Sequence, residues 1–127
     1  MIVLDASAML ALLFDESGAE TVRDTASGED AVAMSAANYS EVLQKVEQRG
    51  GDVDATASRI EAMVRLEPVT GADAVHAARL WRKGQGLSLG DRLCLALARR
   101  LDCEAYTMDA EWARQPCARV VEREAAS

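Results

Sequence analysis

Short strand-like segments of three to five residues alternate along this chain with segments of helical character, and this alternation constrains the fold most. Met1-Ile2-Val3-Leu4 is too brief for a helix and reads as a fully buried strand. Ala31 to Met34, Leu66 to Val69 and Cys103 to Thr107 read the same way, and Arg119 to Val121 is a possible fifth strand. Strands separated by helices form parallel sheets covered by helices on both faces. The fold class expected is therefore α/β.

The intervening segments carry their own punctuation. Ala6 to Phe14 is apolar almost all round, as in a helix buried on several sides. Ser17-Gly18 opens an amphipathic helix running to about Ser27. Ser35 caps a helix over Ala36 to Gln48 that ends at Gly50-Gly51, with an apolar stripe of Tyr39, Val42, Leu43 and Val46. Asp52 caps the next, whose stripe is Val53, Ala57, Ile60 and Val64. Thr70 to Lys83 is expected to be helical, with Ala74, Ala77, Ala78 and Trp81 facing inward and His76, Arg79 and Lys83 solvated. After the break at Gly84-Gln85-Gly86, a helix runs from about Asp91 to Leu101, and a short one follows Asp109.

At 127 residues, with 50% hydrophobic and 28% charged, residues 1–127 are read as one ordered domain. Met1 to Phe14 lacks a basic flank, contains Asp5 and is too short to cross a bilayer, so no membrane association is expected. Cys94, Cys103 and Cys117 form no CxxC pair and suit a reducing, cytoplasmic setting. The net charge of −7 does not advertise nucleic-acid binding. It is unevenly spread: residues 1–67 hold 5 basic and 13 acidic groups, whereas residues 68–127 hold 9 and 8. A bound polyanion would meet the second half of the chain.

In open α/β sheets, ligands bind beyond the carboxyl ends of the strands, where strand order reverses. Asp5 follows the first strand and Asp109 the fourth, so neighbouring strands would bring both carboxylates to one spot. Each also precedes a helix, where aspartate is a favoured N-cap, and that structural reading stays open. Asp91 begins the row Asp91, Leu95, Ala98, an otherwise buried stripe in which an unpaired acid is costly. Glu41 lies opposite its helix's apolar stripe, and periodicity leaves it in solvent.

Four segments add to this. Val3-Leu4-Asp5-Ala6-Ser7-Ala8, Asn38-Tyr39-Ser40-Glu41-Val42, Leu87-Ser88-Leu89-Gly90-Asp91-Arg92-Leu93-Cys94-Leu95-Ala96 and Tyr106-Thr107-Met108-Asp109-Ala110-Glu111-Trp112 resemble, in order and spacing, the signature segments of PIN-domain nucleases. The resemblance spans nearly the whole chain and is closest to the VapC toxins of type II toxin–antitoxin systems. It implies a three-layer α/β/α sandwich around a five-stranded parallel sheet of order 3-2-1-4-5. It implies an acidic quartet of Asp5, Glu41, Asp91 and Asp109, with Ser7, Asn38 and Thr107 ordering it. It further implies an endoribonuclease, a small antitoxin that blocks the site, and a homodimer.

Phosphodiester hydrolysis needs a nucleophilic hydroxide and a place for phosphoryl charge. Mg²⁺ or Mn²⁺ supplies both, and hard cations take carboxylate oxygens. Asp5, Asp91 and Asp109 are the expected metal ligands, and Glu41 completes the set. With a single histidine, His76, a metal-free paired-histidine mechanism is ruled out. Arg79, Arg82, Lys83, Arg92 and Arg114 are the candidate RNA contacts, while Trp81 is read as core. A haloacid-dehalogenase-type phosphotransferase needs a second acid where Ser7 stands, and a receiver domain needs neighbouring acids before its first helix. A non-enzymatic partner-binding subunit with a residual quartet is the remaining alternative.

Overall fold

β1 (Ile2–Leu4) occupies the centre of a five-stranded sheet, between β2 (Val32–Ser35) and β4 (Glu104–Thr107). β3 (Arg65–Glu67) and β5 (Ala118–Val120) form the edges, giving the order β3-β2-β1-β4-β5 with every neighbouring pair parallel. Ile2 pairs with Val32 and Leu4 with Tyr106. These coordinates are a computed structural model and describe residues 1–123. The expected fold and strand order are both found.

Six helices connect the strands: α1 (Ala6–Leu13), α2 (Ala19–Ser27), α3 (Ala36–Gln48), α4 (Val53–Met63), α5 (Gly71–Arg79) and α6 (Leu89–Arg100). A single 3₁₀ turn, Ala110–Trp112, follows β4. Successive strand side chains point to opposite faces, which makes two cores. Ile2, Leu4 and Met34 pack with Met9, Val22, Val42 and Ile60 on one face. Val3, Ala33 and Ala105 pack with Leu95, Leu97, Ala98 and Trp112 on the other. Each large apolar side chain buried this way contributes roughly 1.5–3 kcal/mol. No helix among the described residues is long and apolar enough to cross a membrane.

The helix starts follow from local chemistry. Ser35 accepts a hydrogen bond from the Ala37 amide at 3.2 Å and Asp52 one from Ala55 at 3.0 Å, as their sequence positions predict. Gly18 enters α2 at φ 94°, and a Cβ there would also run into the Met108 side chain. α6 begins two residues earlier than expected, because Ser88 is its cap. Its hydroxyl accepts from the Asp91 amide at 3.1 Å, while Asp91 accepts from the Ser88 amide at 3.0 Å.

α5 departs most from expectation, ending at Arg79 rather than Lys83. The Arg82 guanidinium donates to the carbonyls of Arg79 and Trp81, both at 2.7 Å, and Arg92 donates to that of Ala77 at 3.0 Å. These side chains serve carbonyls of the last turn and just beyond it, where intrahelical donors run out. Its inward face is also rotated. Asp73 and Ala77 are buried and Leu80 half-buried, whereas Ala74 and Ala78 are exposed. Asp73 sets this rotation by completing a capping box with Thr70 and receiving Arg100 Nε at 3.0 Å. Trp81 is consequently 58% exposed and is not core. His76 is half-buried beside Arg99 rather than solvated, and burial followed by the Arg99 and Arg79 charges lowers its pKa. Phe14, expected inside, caps α1 and is exposed under the Arg49 guanidinium, 4.2 Å from its ring centroid.

Candidate active site

The carboxyl ends of β1 and β4 meet at one seam, tied by the Asp5 amide donating to the Tyr106 carbonyl at 3.1 Å. Asp5 caps α1, accepting from the Ala8 amide and the Ser7 hydroxyl, both at 2.8 Å. The cap reading of Asp5 is thus correct, yet it does not explain the placement. The side chain is only 3% exposed and no cation pairs with it among the described residues. Burial raises its pKa to about 6. Hydrogen bonds from Thr107, Ala8 and Ser7 oppose the rise, and the charge of Asp91 adds to it.

Ser7 holds this arrangement to the next strand. Its oxygen accepts from the Met108 amide at 2.9 Å and lies 3.3 Å from Thr107 Oγ1. Thr107, fully buried, accepts from the Asp109 amide at 3.0 Å. Asp109 in turn caps the 3₁₀ turn, accepting from the Glu111 amide at 2.9 Å. A cleft of about 480 Å³ opens beside it, lined by Gln85, Glu111 and Arg114 among others.

Asp91 arrives from the start of α6, half-buried, with a carboxyl pKa raised chiefly by burial and further by the charge of Asp109. Glu41 is not left in solvent. Asn38, buried on the same face of α3, donates to Glu41 Oε1 at 2.7 Å and to the Gly90 carbonyl at 3.1 Å. Gly90 makes room for this contact: a Cβ there would stand 2.8 Å from the Glu41 carboxyl carbon. Beneath them lies the fully buried thiol of Cys94. Its pKa is pushed well up, first by burial and then by the charges of Asp5, Asp91 and Glu41. One inert thiol therefore feels three acids drawn from three separate segments.

The basic candidates are dispersed. Arg79, Arg82, Lys83 and Arg114 are exposed, while Arg92 is half-buried and held on α5 through the Ala77 carbonyl. As arranged, no group of three or more His, Cys, Asp or Glu among the described residues can hold a metal ion. The donor chemistry nevertheless suits a hard cation. The carboxylates repel, one is buried without a counter-charge, and four polar atoms of residues in this region, Asn38 Oδ1, Gln85 Oε1, Arg92 Nε and Trp112 Nε1, are buried with no hydrogen-bond partner among the described residues. Gly90, Ser88 and Trp112 received no separate role from the sequence. Only the glycine at the second helical position, where alanine is intrinsically better, marks a close approach.

The PIN-domain family model matches residues 2–116. This chain belongs to the PIN-domain family. No curated protein matches its sequence. Among solved structures, the PIN domain is similar to VapC20 of Mycobacterium tuberculosis, described as a toxin cleaving the sarcin–ricin loop. The two are 21% identical with a TM-score of 0.78, and 98% of this chain and 100% of that one are covered. It is also similar to a chain of a toxin–antitoxin complex from Klebsiella pneumoniae, at 16% identity and TM-score 0.77, with 98% and 100% covered. PAE2754 of Pyrobaculum aerophilum gives 24% identity and TM-score 0.63, with 94% and 88% covered. At these identities the likeness shows the fold.

Proposed function

We propose that this PIN domain is a divalent-metal-dependent endoribonuclease and the toxin of a type II toxin–antitoxin pair. The observation that carries the reading is the convergence of Asp5, Glu41 and Asp91 around Cys94, with Asp109 acting on Asp91. A purely structural role supports burying one capped aspartate, but not drawing acids from four separate segments toward it. That the structural relatives are described as toxins and toxin–antitoxin complexes supports the toxin assignment.

Asp5, Asp91 and Asp109 would hold Mg²⁺ or Mn²⁺, with Glu41 completing the set. The bound cation would acidify a water and neutralise charge on the scissile phosphate. Ser7 and Thr107 fix Asp5 and the Asp109 backbone, and Asn38 fixes Glu41, so the acids are oriented before substrate arrives. Attack by water leaves 5′-phosphate and 3′-hydroxyl ends and does not need the RNA 2′-hydroxyl as nucleophile. Arg114 at the cleft, the exposed Arg79, Arg82 and Lys83, and Arg92 next to Asp91 are proposed to meet the RNA backbone. The protein is proposed to act in the cytoplasm as a homodimer held in check by its antitoxin.

The test is cleavage of mixed RNA by purified protein. Activity should vanish in chelator, return with Mg²⁺ or Mn²⁺, and be abolished by Asp5→Ala and Asp91→Asn. Full activity in excess chelator overturns the metal mechanism. Metal binding without cleavage of any RNA supports the partner-binding subunit instead.

A further inference from the structure

Among the buried polar groups beside the acidic site, the indole of Trp112 is the one on a rigid ring. Trp112 is 0% exposed, and its ring packs in the second core beside Leu87 and Leu95. Its indole N–H has no hydrogen-bond partner. A buried donor without an acceptor is costly, and a phenyl ring would fill much of the same space without that cost. Asp91 stands one helical turn before Leu95 on α6, at the end of the same row against which the ring packs, and the indole N–H completes no hydrogen bond there. Asp91 already accepts from the Ser88 amide through Oδ2. The tryptophan also belongs to the turn that Asp109 caps, its own amide donating to the Asp109 carbonyl at 3.2 Å. Trp112 is thus tied to Asp109 through its backbone while its ring packs beside the row that begins at Asp91.

We propose that Trp112 is a positioning residue for Asp91: its buried indole N–H donates to the Asp91 carboxylate once the site binds a divalent cation, fixing that carboxylate's rotation. The inference rests on the proposed function, in which Asp91 is a metal ligand. Metal-held carboxylates are commonly oriented by such outer donors, whose loss costs roughly 10-fold or more in metal affinity. The Ser88 amide and the indole would act as two fixed donors, leaving the remaining lone pairs of Asp91 free to ligate.

The chain contains two tryptophans, one buried and one largely exposed, so the indole N–H signals of ¹⁵N-labelled protein carry their own reference. Mg²⁺ should move the Trp112 signal downfield and slow its exchange with solvent, while the Trp81 signal stays in place. In Asp91→Asn the Trp112 signal should not respond. Trp112→Phe should bind Mn²⁺ roughly 10-fold more weakly by calorimetry. Its chelator-treated melting temperature should stay close to the parent's. Calorimetric Mg²⁺ binding with a stationary Trp112 signal overturns this inference and leaves the proposed function standing. A parent that binds neither Mg²⁺ nor Mn²⁺ overturns both. The parent titration needs no variant, so a Trp112→Phe protein that fails to fold does not block the test.

Discussion

Ser7 and Thr107, a hundred residues apart in sequence, place their hydroxyl oxygens 3.3 Å from each other across the β1–β4 seam. Each also accepts a backbone amide of the opposite acid's segment or its own: Met108 for Ser7, Asp109 for Thr107. Two small hydroxyls thereby fix the relative position of two acids. Ser7→Ala orphans the Met108 amide and should cost about 1–3 kcal/mol. Combined with Thr107→Val in a double-mutant cycle, the pair should show a coupling of at least ~0.5 kcal/mol by denaturant melts. Strict additivity would mean the contact is incidental.

Asp5 gives the stability curve a definite slope. Its folded pKa, about 6, lies above the ordinary value of 3.8, so the folded protein holds this proton more tightly than the unfolded chain. The ionised group therefore opposes folding above pH 6, and the penalty disappears progressively between about 6 and 4. Two pKa steps correspond to about 3 kcal/mol. In chelator, Asp5→Asn should be more stable than the parent at pH 7.5, with the gap closing toward pH 4. A gap independent of pH would place the Asp5 pKa at its ordinary value.

Gly90→Ala separates folding from catalysis. Alanine favours the helix by about 1 kcal/mol, and the atoms it meets are the movable end of Glu41. The variant should melt at or slightly above the parent temperature while RNA cleavage falls roughly 10-fold or more, as for a displaced positioned group. Equal loss of stability and activity would show that Gly90 serves only packing.

Arg100→Met should do the reverse. Arg100 Nε lies 3.0 and 3.2 Å from the two oxygens of Asp73, whose side chain is almost wholly buried. Removing the arginine leaves Asp73 with only the Thr70 amide as partner among the described residues, at a cost of about 1–3 kcal/mol. Because the pair ties α5 to α6 away from the acids, activity per folded molecule should be unchanged when measured well below the melting temperature.

How far the sequence could be read depended on how many neighbours each helix has. β1 and Asp5 were plain, since a strand buried on both faces leaves a short apolar run and the acid follows it directly. α3 was misleading at Glu41 because a single apolar stripe describes a helix packed on one side. Val42 and Val46 face the core, but Asn38 and Glu41 reach α6 through Gly90, and no hydrophobic period records that second contact. In α5 the error ran the other way. Ala74, Ala78 and Trp81 resemble a buried stripe, yet the face actually buried is organised by the charged pair of Asp73 with Arg100. The helix ends, by contrast, were written in single residues such as Ser35 and Asp52.

The first and last of the four acids enter the chain at positions 5 and 109, just beyond strands that are hydrogen-bonded neighbours. During synthesis, Asp5 must therefore wait for a partner strand that is made about a hundred residues later. At translation speeds of about 5–20 residues per second, that delay is roughly 5–20 s. For the whole of that interval the nascent polypeptide has β1 and no β4 beside it, so whatever the finished site does, an unfinished chain cannot do it. Topology acts here as a clock. A chain that stops before β4 lacks the seam, however many of the earlier acids it retains.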